Sequence, residues 1–457
     1  MFEACQKNVD LTLDTKKFFE QYNRNRRIAT FTLGCKVNQY DTEAVVEQFT
    51  NVGYEVVNFN ENADVYIVNT CTVTHLSDRK CRQMLRKTKR MNENSILVAM
   101  GCYVQSVQQK IKEEVPEVDI IIGTNGRSET LNMVNNYCIN KTFDPIEDIM
   151  NIELFEELKI SQIDGHTRAY LKIQEGCNNY CTYCIIPYVR GNIRSRQEQN
   201  VIEEAIRLTN IGFKEIILTG IHVASYGKDL NQTSLETLLP KLNDIENLER
   251  VRLSSIEPVV ITEQFLNTIN QLPKMCKHFH LSLQSGCDTV LERMNRKYTT
   301  DEYFASVQAL KNVWEDVALT TDIIVGFPNE TEEEFEETMK FVEKVGFYQI
   351  HIFPFSPREG TKASTMSGQV EPQIKEERAK RLKQLSQKLT EQFLQKQIDK
   401  TVTILVEKHE NNRIIGHTSN YIKVKATLNT YVSYENQLVN VKIITQENGF
   451  LNGMVVN

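Results

Sequence analysis

Cys177-Asn178-Asn179-Tyr180-Cys181-Thr182-Tyr183-Cys184 places three thiols at C-x3-C-x2-C spacing, directly after Ala169-Tyr170-Leu171-Lys172-Ile173-Gln174. The alternation of that preceding segment reads as a strand, so the cysteines fall on the loop leaving its C-terminal end. Three thiolates from one short loop can hold three irons of a 4Fe-4S cluster. With no fourth cysteine close by, one iron keeps an open position, as catalytic metals do. An open iron can chelate a molecule carrying an amine beside a carboxylate. Zinc would need a fourth ligand, and the nearest histidines, His166 and His222, lie outside the loop. Buried structural cysteines fit poorly beside Gly176 and Asn178-Asn179.

The whole chain bounds the setting of that loop. Its 457 residues suggest about three domains at ~150 residues each. Hydrophobic residues make up 40% and charged residues 25%, an ordinary globular balance. Nothing approaches the ~18-residue apolar run of a membrane span, and Met1 to Glu20 carry no apolar signal-peptide core. A cytoplasmic protein without membrane contact is expected. Eleven cysteines in such a chain argue for thiolates or metal ligands over disulfides. The net charge of −7 confines any nucleic-acid surface to a local patch.

Upstream of the loop, residues 26–140 read as a small flavodoxin-like α/β domain. Strand patterns at Ile28–Leu33, Val65–Val68, Ile96–Met100 and Ile120–Ile122 alternate with helical patterns at Asp41–Val52 and Thr74–Met91, which implies a parallel sheet. Cys35, Cys71 and Cys102 each follow a strand. Strand C-termini of a parallel sheet share one edge, where ligands bind, so the three should converge. Three unrelated buried cysteines are the plainer reading. Cys5, Cys81, Cys138, Cys276 and Cys287 lack that context and read as ordinary. Residues 79–90 hold seven basic side chains, including Arg79, Arg82, Arg86 and Arg90. They make either a phosphate-binding flank or a solvated helix face. Residues 1–25 read as a polar lead-in and 141–165 as an acidic linker.

Downstream, six βα steps are expected, with strands at 168–175, 214–219, 250–254, 278–283, 318–325 and 347–353. Helices between them include 199–212, 301–313 and 331–345. Sites of such barrels lie at the strand C-terminal ends, where Gly220, Ser254, Ser255, Glu257, Gln284 and Gly326 fall. Each could also be a plain turn residue. His278 and His280 read as barrel packing, and His222 as a residue within reach of substrate. Thr331 before Glu332-Glu333-Glu334 reads as a helix cap followed by acidic residues that suit the helix dipole. A charged connector helix is expected over 374–400, followed by a β-rich tail.

The cysteine loop, with Tyr183 before its last cysteine, resembles the radical S-adenosylmethionine superfamily. Leu33-Gly34-Cys35-Lys36-Val37-Asn38-Gln39-Tyr40, Asn69-Thr70-Cys71-Thr72-Val73-Thr74 and Gly101-Cys102-Tyr103-Val104-Gln105 resemble the N-terminal domain of the methylthiotransferases. The tail resembles the TRAM domain, a small OB-like RNA-binding barrel. The resemblance runs through nearly the whole chain in the family's order, as 26–140, 163–396 and 398–457. It implies two 4Fe-4S clusters, one on Cys177, Cys181 and Cys184 and one on Cys35, Cys71 and Cys102. It implies S-adenosylmethionine as radical source and methyl donor, held in a partial (β/α)6 barrel by Gly220, Ser254, Ser255, Glu257, Gln284 and Gly326. The implied partners are the anticodon stem-loop of tRNA, an electron donor protein and a sulfur donor. Leu-Gly-Cys-Lys-Val-Asn at 33–38 looks most like the branch that modifies C2 of N6-threonylcarbamoyladenosine. The isopentenyl-adenosine branch and the ribosomal-protein aspartate branch are the alternatives. A non-catalytic iron–sulfur carrier and an RNA-binding module are the readings from other classes. Trios that leave an iron open count against the carrier.

Overall fold

The computed structural model describes residues 10–11, 13–140, 146–160, 167–428 and 433–456. Cys5, His166 and parts of the expected lead-in and linker lie outside the described residues. The chain forms two compact units. One comprises Met1–Gln162, Glu175–Asn178 and Cys184–Arg194, and the other comprises Ile163–Gln174, Asn179–Tyr183 and Ser195–Asn457.

The first unit is built on strands β1 (Arg27–Thr32), β2 (Glu55–Val56), β3 (Val65–Thr70), β4 (Ile96–Gly101) and β5 (Ile120–Ile122). Their order is β2-β1-β3-β4-β5, and every pairing is parallel. This is the flavodoxin order, whose ligand crevice lies at the β1/β3 switch. Alternate residues of these strands feed two separate cores. Ile28, Val65, Ile67, Val98 and Met100 pack on one face, and Ala29, Tyr66, Val68, Leu97 and Ala99 on the other. A sheet buried on both faces needs such continuous apolar runs.

Three expectations for this unit are corrected. The helix after β1 runs over Lys36–Thr50, not from Asp41, because Cys35 itself takes the N-cap position and no Ser, Thr, Asp or Asn marks that start. The lead-in contains a helix, Thr15–Tyr22, capped by Asp14 and anchored by the buried Phe18. The described part of the expected linker is packed. Ile149, Leu158 and Ile160 are buried, and the Tyr40 hydroxyl donates to the Leu158 carbonyl at 2.9 Å.

The second unit continues with β6 (Arg168–Glu175), β7 (Arg194–Ser195), β8 (Glu215–Gly220), β9 (Arg250–Leu253), β10 (Ser255–Ile256), β11 (His278–Leu281), β12 (Ala318–Val325) and β13 (Gln349–Pro354). The sheet orders are β7-β6-β8-β9 and β10-β11-β12-β13. Ser254 alone separates β9 from β10, so the expected third strand is one run broken at that serine. Leu171, Ile173, Ile216, Leu218, Val251, Phe279, Leu281, Leu319 and Ile323 pack together in the main core. Glu215, Arg250, Arg252, His278, His280, Thr320 and Asp322 alternate with them and therefore lie on the opposite face, the inside of the partial barrel. Thr331 does cap helix Glu332–Val345 through a capping box with Glu334. The connector helix spans Pro372–Gln395.

The tail forms β14 (Thr401–Glu410), β15 (Arg413–Thr418), β16 (Lys423–Thr427), β17 (Leu438–Glu447) and β18 (Phe450–Val455). These close into a barrel in the order β14-β15-β16-β18-β17, consistent with a TRAM domain. The tail sits against the N-terminal ends of the larger barrel's strands. Arg250 donates to the His417 carbonyl at 2.8 Å and to the Thr403 carbonyl at 2.9 Å. Arg252 donates to the Ser419 carbonyl at 3.1 Å, and Asn436 to the Gly212 carbonyl at 2.7 Å. Ala318 and Tyr348 share the tail's apolar core.

Candidate metal centres and the barrel mouth

In the first unit the ends of β3 and β4 and the loop after β1 bring Cys71, Cys102 and Cys35 to one edge of the sheet. Two glycines make the approach possible. A Cβ on Gly101, at φ +101°, would lie 2.4 Å from Asn69 Oδ1, and one on Gly34, at φ +120°, would lie 3.3 Å from Cys71 Cβ. Only glycine tolerates both the conformation and the crowding. The buried Asn38 then ties the ends of β1 and β3 together, and Thr70 links them to β4. Its Nδ2 donates to the Leu33 carbonyl at 3.0 Å and the Thr70 carbonyl at 3.1 Å. Asn69 Nδ2 returns a bond to the Asn38 carbonyl at 2.8 Å, and Thr70 Oγ1 donates to the Met100 carbonyl at 2.6 Å.

The thiols at this edge differ in environment. Cys35 is exposed and Cys71 and Cys102 are buried. Burial pushes the Cys102 thiol up to about 11, against the opposing charge of Arg190, and burial likewise raises Cys71. Burial therefore favours neutral thiols at Cys71 and Cys102 in the bare protein, and a bound cation is what would let those two ionise. Three convergent sulfurs, two of them with that requirement, suit a metal cluster. Cys81 is built differently. Its Sγ donates to the Cys71 carbonyl at 3.3 Å, and burial pushes its thiol up to about 12.

No sequence pattern marks Arg190, Asp41, Asn38 or Asn69 as site residues. Arg190 is fully buried and its Nε donates to Cys102 Sγ at 3.1 Å. In sequence it shows only as a lone charge closing the apolar run Ile185-Ile186-Pro187-Tyr188-Val189.

The C-x3-C-x2-C loop leaves β6 through Gly176. At φ +74°, a Cβ there would lie 1.8 Å from the Asn192 carbonyl oxygen. The Cys177 amide donates to the Gly191 carbonyl at 3.0 Å. In the second unit, Thr182 is held by its amide to the Met294 carbonyl at 3.0 Å and by its hydroxyl to the Arg293 carbonyl at 2.9 Å. Arg296 donates to Cys181 Sγ at 3.3 Å. Tyr183 packs edge-on to Phe327.

Glu257 is the hub of the barrel mouth. It accepts from Asn179 Nδ2 at 3.0 Å, pairs with Arg296 at 2.8 Å and meets His222 Nε2 at 3.2 Å. Burial alone would raise its carboxyl, but the hydrogen bond from His222 and the Arg296 charge carry it down to about 2. Gly220 ends β8, with room for a Cβ only at 3.0 Å from Gln174, whose Oε1 receives the His222 amide at 2.6 Å. Ser254 Oγ is buried without a hydrogen-bond partner among the described residues. Ser255 begins β10, and Gln284 adopts φ +71° beside Ile323. Gly326 stands apart from these. A Cβ there would lie 2.3 Å from Lys375 Cγ, and its amide donates to Glu330 at 2.6 Å, so its neighbourhood is filled by protein. His280 lies inside the barrel with Asp322 at 3.2 Å, and His351 meets the same carboxylate at 3.1 Å.

A flavodoxin-order sheet with three cysteines at its edge, in one chain with a partial barrel bearing a C-x3-C-x2-C loop, defines a radical S-adenosylmethionine protein with a second cysteine centre. Residues 27–123 match the family described as Uncharacterized protein family UPF0004, and residues 171–342 match the Radical SAM superfamily. The chain is 42% identical over 404 residues to the threonylcarbamoyladenosine tRNA methylthiotransferase MtaB of Bacillus subtilis, covering 87% of this chain and 89% of that protein. It is 40% identical to the protein of the same name from Aquifex aeolicus, over 87% and 96%. It is 34% identical to a tRNA-2-methylthio-N(6)-dimethylallyladenosine synthase of Alkaliphilus oremlandii, over 99% and 97%. Among solved structures, the radical S-adenosylmethionine methyltransferase TsrM from Kitasatospora setae, with cobalamin and a [4Fe-4S] cluster bound, shares the fold at a TM-score of 0.55 and 14% identity, covering 75% of this chain and 77% of that one. The chain belongs to the radical S-adenosylmethionine methylthiotransferase family, and it is an enzyme of the branch typified by MtaB.

Proposed function

We propose that this enzyme adds a methylthio group to C2 of N6-threonylcarbamoyladenosine beside the anticodon of tRNA. The names of its relatives at 40–42% identity support that substrate. The observation that carries the reaction type is the gathering of Cys35, Cys71 and Cys102 at the β1/β3/β4 edge, in addition to the C-x3-C-x2-C loop. Two sulfur-rich centres match a reaction that must both activate a carbon and deliver sulfur to it. Cys177, Cys181 and Cys184 would hold one 4Fe-4S cluster, and Cys35, Cys71 and Cys102 the other. When bound, these clusters and S-adenosylmethionine supply a radical for an unactivated C–H bond and the sulfur and methyl group that replace its hydrogen.

The chain's own residues position these groups. Ser254, with its orphaned buried hydroxyl, fits a polar edge of S-adenosylmethionine, and Gly220 and Gln284 lie at neighbouring strand ends. Glu257 fixes Asn179, His222 and Arg296, and Arg296 in turn steadies Cys181. Ser255 lies at the same rim, and Gly326 serves as the turn that seats Lys375. The tail barrel and the exposed Arg79, Arg86 and Arg90 provide a grip on the tRNA backbone, salt-dependent as phosphate contacts are. A reductant and a sulfur donor complete the set of partners, in a cytoplasmic setting. The domain limits that go with this reading are 26–140, 163–396 and 398–457.

The test is mass analysis of tRNA nucleosides from a strain lacking the gene. Loss of the 2-methylthio form of N6-threonylcarbamoyladenosine, restored by the intact chain, is expected. Loss of the 2-methylthio dimethylallyl nucleoside instead would assign the enzyme to the other branch, to which several relatives belong.

A further inference from the structure

Arg190 lies six residues after Cys184 at the end of helix Ile186–Arg190, fully buried. Each guanidinium nitrogen is committed. Nε donates to Cys102 Sγ at 3.1 Å. Nη2 donates to Asn38 Oδ1 at 2.8 Å, an oxygen 3.5 Å from Cys35 Sγ. Nη1 meets Glu175 at 3.0 and 3.1 Å and Asp41 Oδ2 at 3.1 Å. Glu175 directly precedes Gly176-Cys177, so the Glu175–Arg190 pair flanks the C-x3-C-x2-C loop on both sides. The two carboxylates are shared with Arg127, whose Nη1 pairs with Asp41 and whose Nη2 lies 3.4 Å from Glu175. Arg127 also has Glu156 at 2.8 Å, so Arg190 sits in a cluster of three carboxylates and two guanidinium groups. Burying a guanidinium costs several kcal/mol of lost hydration unless every donor is used. Aiming one donor at a neutral thiol recovers little, whereas a hydrogen bond from a cation to an anionic sulfur is a strong one.

We propose that Arg190 is a positioning residue shared by the two cysteine centres. Through Glu175 its Nη1 closes the C-x3-C-x2-C loop, and through its Nε it tunes the Cys102 sulfur when that sulfur ligates iron. The proposal rests on the cluster assignment given above. Hydrogen bonds to ligating sulfurs and adjacent positive charge favour the more reduced, more negative state and raise its potential. Removing the Nε donor lowers the potential of the centre on Cys35, Cys71 and Cys102. Removing the Asp41 charge, which offsets the guanidinium, raises it. The negative shift in Arg190→Lys, which keeps the charge but loses the Nε donor, is what a merely structural role of Arg190 does not produce.

The experiment uses the full chain with Cys177, Cys181 and Cys184 all changed to Ala, so that only the other centre carries iron. Redox titration followed by electron paramagnetic resonance reads its midpoint. With Arg190 intact this chain should hold about four irons, and an iron-free protein would contradict the cluster assignment itself, separately from the role of Arg190. In that background Arg190→Lys is expected to move the midpoint to more negative values and Asp41→Asn to more positive ones. Arg190→Met in the parental chain is expected to lower iron at both centres. A midpoint in Arg190→Lys that is unmoved or more positive, with iron retained, would overturn the proposal. Where Arg190→Lys loses its iron, the sign in Asp41→Asn decides, and a negative or absent shift overturns it.

Discussion

The two cysteine trios proposed as cluster ligands are assembled by opposite routes. Cys177, Cys181 and Cys184 lie within eight residues on one loop, while Cys35, Cys71 and Cys102 come from three strand ends spread over 68 residues. The local trio depends on the shape of a single turn, fixed by Gly176 and the Cys177–Gly191 bond. The distributed trio depends on the sheet order and on Asn38 bridging two strand ends. A local site is therefore expected to fail all at once, and a distributed one to fail through the stability of its domain.

The largest expected effect follows for the loop. Cys181→Ala should abolish 5′-deoxyadenosine formation and bring iron from about eight to about four per chain. Unchanged iron or persisting cleavage of S-adenosylmethionine would break the contrast. Gly176→Ala is expected to act nearly as strongly, since its Cβ has no room beside Asn192, and iron analysis should again show only one cluster's worth.

For the distributed trio, Asn38→Ala should destabilise the first unit by about 2–4 kcal/mol, because it leaves buried carbonyls and Asn69 without their partner. Urea unfolding monitored on that unit measures it. A loss of iron with no loss of stability would show that this site, too, is locally determined.

Glu257→Gln sharpens the comparison through pH. The folded carboxyl sits near 2 against an ordinary value of 4.5. A depressed carboxyl contributes stability that is present above its unfolded value and lost as pH falls through the folded one. The stability gap between parent and Glu257→Gln should therefore be full above about 4.5 and shrink towards pH 2. A gap independent of pH would mean that the His222 and Arg296 contacts do not favour the ionised form. The smallest effect is expected for Arg79→Gln, Arg86→Gln and Arg90→Gln together. The log–log salt slope of tRNA binding should fall by roughly one unit for each phosphate that the helix no longer neutralises. An unchanged slope would leave that helix face merely solvated.

How much of this was legible in the sequence follows the same division. The local loop was readable from spacing alone. The distributed trio was readable because a post-strand cysteine recurs three times and a parallel sheet aligns strand ends. Arg190 and Asn38 were missed as site residues because their partners lie 88 and 31 residues away, and no periodicity encodes such a meeting. Helix Lys36–Thr50 starts before its sequence signals do because its cap is a cysteine. The tail was readable as a β-barrel but not as docked. Arg250 and Arg252 bond tail carbonyls and surround Glu215, a meeting with distant residues that no local pattern marks. Deleting residues 398–457 would open that buried ion cluster, so point substitutions on the tail surface probe RNA binding more cleanly.

Two separate centres with separate duties is the central claim, and Cys71→Ala tests it most directly. The purified variant is supplied with S-adenosylmethionine, reductant and tRNA bearing N6-threonylcarbamoyladenosine, and its products are weighed by mass spectrometry. Continued release of 5′-deoxyadenosine with no methylthio-nucleoside is the expected result. Methylthio-nucleoside at the parental level would contradict it and reduce Cys35, Cys71 and Cys102 to structural residues.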